Sequence, residues 1–109
     1  MNEAFDTIAA LVRQEASGLI ATIDEAGHLS YSTAPADGSA AAFVVAVKAG
    51  KRYVALHLMP LYCHPELVLE MPASLRARMH GKSCLNFAPH KPVPADDLAV
   101  LIAAALARA

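Results

Sequence analysis

Cysteine is scarce in this chain. Cys63 and Cys84 are the only two, so at most one bridge could form and a fold stapled by several disulfides is excluded. Long apolar runs are missing as well. No stretch of about eighteen uncharged apolar residues occurs, which excludes a helix that crosses a bilayer. The opening residues Met1 to Gln14 carry Glu3, Asp6 and Arg13, and therefore lack the basic start and unbroken apolar core of a secretory signal. The compartment these features suit is a reducing cytoplasm with both thiols free. Repeats and low-complexity tracts are absent too. Neither sign of charge dominates: the formal net charge is −1, far from the strongly basic balance that announces a nucleic-acid partner.

What is present points to one folded unit. A length of 109 residues fits a single domain over 1–109. With 56% apolar and 17% charged residues, enough apolar surface is available to offset chain entropy. The charges are unevenly spread. Residues 1–47 set Arg13 against Glu3, Asp6, Glu15, Asp24, Glu25 and Asp37. Residues 48–91 set Lys48, Lys51, Arg52, Arg76, Arg78, Lys82 and Lys91 against Glu66 and Glu70. A positive middle suits a small anionic ligand or a partner with an acidic face.

Apolar spacing lays out the elements. Ala4, Phe5, Ile8, Leu11 and Val12 recur at helical intervals, with Asn2 as N-cap and Gly18 as the stop, giving a helix to about Ala16. Leu19 to Ile23 and His28 to Thr33 flank Asp24-Glu25-Ala26-Gly27 as a hairpin, and Ala34 to Ala40 reads as a loop. Ala42 to Val47 and Arg52 to Met59 form a second hairpin about Lys48-Ala49-Gly50-Lys51. In the latter strand Val54, Leu56 and Leu58 share the core face, opposite Tyr53, Ala55 and His57. Pro60 ends that strand.

Pro65 and Pro72 each open a short helix, the second over Ala73 to His80 with Gly81 as its C-cap. Ser83 to Phe87 is a strand, and Pro94 opens a last helix striped by Leu98, Leu101, Ile102, Ala105 and Leu106. The expected fold is α+β: a largely antiparallel sheet of about five strands with helices packed on one side, in the order α-β-β-β-β-α-α-β-α.

Three blocks carry a resemblance: residues 51–62 (KRYVALHLMPLY), 72–79 (PASLRARM) and 81–87 (GKSCLNF). Together they resemble a bacterial YdhG-like family of unknown function whose fold is grouped with frataxin-like proteins, over roughly residues 40–106. The family brings no established catalytic residues to transfer. Some of its relatives have been called iron chaperones, which makes iron handling the alternative function. Frataxins use an acidic ridge, whereas here Glu3, Asp6 and Glu15 are spread along the first helix.

The chemical motifs are thin. Gly81-Lys82-Ser83 is no phosphate loop, because the first glycine would fall at Arg76 and the order is helix then strand. Five histidines and two cysteines show no structural zinc spacing, so no metal or cofactor is expected. A nucleophilic pair of Cys84 with His57 or His80 lacks an identifiable third, orienting residue. The remaining constellation is a ligand surface. Tyr53 and His57 share one strand face and Cys84 and Asn86 another, while Arg76, His80 and Lys82 make a cationic edge and Arg78 is solvated. If the two strands are neighbours, these groups suit a small polar or anionic ligand. The expectation is a non-catalytic binding module with no nucleic acid and no membrane as partner; a homodimer stays open.

Overall fold

A computed structural model of the chain describes residues 2–33 and 42–109. The loop expected over 34–40 lies outside the described residues. Helix α1 (Glu3–Glu15) begins where Asn2 Oδ1 accepts a hydrogen bond from the Phe5 amide at 2.9 Å, which satisfies one of the donors a helix start leaves open. Gly18, at φ 88, turns the chain into the strands.

Strands β1 (Ile20–Glu25) and β2 (His28–Ser32) are followed by β3 (Phe43–Ala49) and β4 (Val54–Leu58). Helices α2 (Met59–Cys63), α3 (Glu66–Leu69) and α4 (Ala73–Arg76) then lead to β5 (Met79–His80), β6 (Cys84–Phe87) and α5 (Ala95–Leu106). The six strands of the described residues pair antiparallel in the order β1-β2-β3-β4-β6-β5. The α+β class and the antiparallel sheet are therefore as expected, with one strand more. None of the helices in the described residues is long and apolar enough to cross a membrane.

The core lies on one face of the sheet. Leu29, Val45, Val47, Leu56, Leu58, Leu85 and Phe87 point from the strands into the same cluster as Ile8 and Val12 of α1 and Leu98 and Ile102 of α5. Arg13 extends from α1 to β1, where it makes a two-pronged ion pair with Asp24 at 2.8 and 3.1 Å. That hydrogen-bonded guanidinium holds the Asp24 carboxyl below the ordinary carboxylate range.

The expected helix over 73–80 is corrected. Helix α4 stops at Arg76, and Met79 and His80 form an edge strand beside β6, with Met79 opposite Leu85 and His80 opposite Cys84. Gly81 sits at φ 77, a conformation that a helix C-cap and a hairpin turn both demand, and only tertiary pairing separates the two readings. Strand pairing wins here because it lets the Arg78 carbonyl accept from the Asn86 amide at 2.9 Å and packs Met79 against the core. The chain also fits in α2, a turn of helix directly after β4 with Pro60 in its first turn, where the sequence suggested only a strand end. Pro94 is the N-cap of α5 instead of its first helical residue.

Candidate functional site

The face of the sheet opposite the core takes its side chains from the strands themselves. One row crosses all six: Ile23, Ser30, Ala46, His57, Cys84 and His80 are successive Cα partners. A second row beside it runs Glu25, His28, Lys48, Ala55 and Asn86. Because side chains alternate along a strand and Leu29, Val47, Leu56 and Leu85 between these rows are core, both rows face away from the helices.

His57 and Cys84 face each other directly across β4 and β6. The neighbouring pair is hydrogen-bonded, with the Leu58 amide donating to the Ser83 carbonyl at 2.8 Å. His57 and Cys84 therefore form a non-hydrogen-bonded pair, the kind in which opposing side chains approach most closely, about 4.5 Å between Cα atoms. The Phe43 ring lies against the His57 imidazole, 4.9 Å between centroids and tilted by 51°. Partial burial lowers the His57 pKa below its ordinary value, so at pH 7 the neutral imidazole offers one hydrogen-bond donor and one acceptor.

Four of the seven expected site residues are thus brought together: His57, Cys84, His80 and Asn86. Tyr53 stands exposed one residue before β4, in the turn where its carbonyl accepts from the Gly50 amide at 2.8 Å. The expected cationic edge is divided. Arg76 and His80 share no helix side, since His80 is on a strand. The Arg76 guanidinium donates to the carbonyls of Leu69 at 2.9 Å and Met71 at 3.0 Å, and so ties α4 to the end of α3. Lys82 leans over the Tyr62 ring of α2, with Nζ 5.8 Å from its centroid, on the helix side of the sheet. Arg78, expected in solvent, is half-buried with its guanidinium 5.4 Å from the centre of the Phe87 ring.

Sequence reasoning missed the cation that the open face does carry. The composition of residues 48–51 suggests a turn, but β3 runs on to Ala49 and places Lys48 between His28 and Ala55. The period-two pattern through Val45, Val47 and Ala49 was the available signal. Ser30 and Phe43 have no distinguishing spacing in the sequence.

Among the described residues, no three His, Cys, Asp or Glu side chains converge to hold a metal ion. Neither Cys84 nor His57 makes a side-chain hydrogen bond to another described residue, so the thiol and imidazole are neighbours without the alignment of a nucleophile and its base. Compared with models of known families, with curated proteins and with solved structures, the chain matches none of them.

The half-buried His57 imidazole has a consequence for acid stability. An unfolded histidine takes up its proton near pH 6.5, while folded His57 resists protonation. The stability held by the neutral form is full above that pH. It is lost as pH falls through the unfolded value toward the lower folded one. Melting temperatures between pH 7.5 and 5 should therefore fall further for the natural chain than for His57→Gln; parallel curves would count against a desolvated imidazole.

Proposed function

We propose that this chain is a non-catalytic binding module that holds a small polar or anionic ligand on the open face of its sheet. The observation that carries the reading is the in-register row of His57, Cys84 and His80, with Asn86 and Lys48 in the row beside it. The neutral His57 and the Asn86 amide supply directional hydrogen bonds, and the exposed Lys48 ammonium supplies charge for an anion. These groups project from paired strands, whose backbone positions are held by the ladder, so little order has to be created on binding. Kinship with the YdhG-like family belongs to the same proposal and rests on the three sequence blocks. A reducing cytoplasm is the proposed compartment, in keeping with two free cysteines.

Thermal melts with phosphate, sulfate and citrate test the reading. A ligand at a hundred times its dissociation constant stabilises by about 2.7 kcal/mol. That gain should disappear in Lys48→Ala and in His57→Ala and persist in Lys82→Ala, which alters the other side of the sheet. An anion shift that survives both open-face replacements, or no shift with any of the three anions, would remove the proposal.

A further inference from the structure

A separate hollow lies on the helix side, where α2 and α3 meet the β5–β6 turn. Its volume is about 860 Å³, and Leu61, Tyr62, Val68, Leu69, Met79 and Lys82 form most of its wall. Pockets that take small molecules run to roughly 300–1,000 Å³, are mostly apolar and carry few polar groups. This one has the size and the composition.

Two of its side chains are costly to leave in water. Leu69 is 77% exposed and Tyr62 60% exposed, whereas Leu61 beneath them is buried. The local sequence explains why they are not drawn inward: α3 is a single four-residue turn that directs Leu67 into the core and leaves Leu69 outside.

The charges at the rim are not equivalent. Glu66 is turned toward His64, with Oε1 3.4 Å from Nδ1. Lys82 makes no ion pair among the described residues; its ammonium rests near the π face of Tyr62, which leaves its other N–H donors available. An apolar wall with one uncommitted cation at its edge is complementary to a molecule that has an apolar body and a single negative end.

We infer that this groove is a binding site for an amphipathic monoanion, an alkyl or aryl chain ending in a carboxylate. The carboxylate pairs with Lys82 beside Tyr62, and the chain lies along Leu61, Val68, Leu69 and Met79. The site shares no residue with the open sheet face, so it stands or falls apart from the function proposed above.

Octanoate is the probe, with octan-1-ol lacking the charge and acetate lacking the apolar body. Calorimetric titration should show octanoate binding at least tenfold more tightly than either, and methyl resonances of Met79 and Leu69 should shift in proton–carbon NMR spectra. Lys82→Met should weaken octanoate at least tenfold while leaving octan-1-ol unchanged. Leu69→Asp, at an exposed position that the fold does not need, should abolish both, and His57→Ala should alter neither. Equal affinity for all three probes, or octanoate binding indifferent to both groove variants, overturns the inference. So does a dimer in light scattering that Leu69→Asp returns to monomer, because the groove would then be covered by a second copy of the chain.

Discussion

Replacing Phe87 by Ala should cost about 3–5 kcal/mol of folding stability, the range for deleting a fully buried aromatic ring. Phe87 is 1% exposed and lies opposite Val54 in the β4–β6 ladder, so its ring stands where the sheet meets the helices. For a domain of about a hundred residues each kcal/mol corresponds to roughly 4–8 °C, and the melting temperature should drop by at least about 12 °C. The ring has a second neighbour in Arg78. The buried Nε of that residue has no hydrogen-bond partner among the described residues, an arrangement that costs about 1–3 kcal/mol. Arg78→Met keeps an unbranched stem against the ring and removes the orphaned donor, so its melting temperature should equal or exceed that of the natural chain. Arg78→Ala, which loses the stem as well, should fall below it. A Phe87→Ala loss smaller than about 1 kcal/mol, measured by urea titration at unchanged slope, would mean that the ring is not part of the cooperative core.

Arg78 also shows where sequence reading ran out. On a helix over 73–80 it points away from Arg76 and His80, toward water. On the observed path it follows the end of α4 and leads into β5, where its carbonyl bonds Asn86 and its guanidinium lies over Phe87. Nothing local to PASLRARMHG distinguishes the two, since Ala, Leu, Arg and Met are good helix formers and glycine serves either ending. A strand of two residues exists only because β6 is there to pair with it. The hairpins of β1 with β2 and of β3 with β4 were legible for the opposite reason: alternation and turn residues are properties of adjacent sequence. The alternation of Tyr53, Ala55 and His57 against Val54, Leu56 and Leu58 likewise placed His57 on the open face. Its partner across β6 could be named only conditionally, because β4 and β6 are joined through three short helices and a strand whose course the sequence does not dictate. Lys82 stands just before β6. Its side of the sheet depends on the turn after β5, and the groove it borders lies between α2, α3 and that turn, of which α2 has no spacing in the sequence to announce it.

The terminal helix offers the sharpest test of how well an apolar stripe translates into energy. From spacing alone, Leu98, Leu101, Ile102, Ala105 and Leu106 face the core. In the structure Ile102 is fully buried, packed in one cluster with Ile8 and Val12 of α1, while Leu106 is only partly buried and Val100 is 71% exposed. Alanine has the highest helix propensity, so Ala replacements at these three positions leave the helix itself no weaker and report burial and packing. Ile102→Ala should cost about 2–5 kcal/mol, as expected for removing a core aliphatic side chain. Val100→Ala should stay within about 0.5 kcal/mol, as exposed positions usually do, and Leu106→Ala should fall between them. The order matters more than the sizes, because the cavity left at Ile102 depends on how far α1 can close over it. Chemical denaturation of the three variants reads it directly: a Val100→Ala loss equal to that of Ile102→Ala would mean that α5 presents a different face to α1 and to the sheet, and the one-sided layering would have to be redrawn.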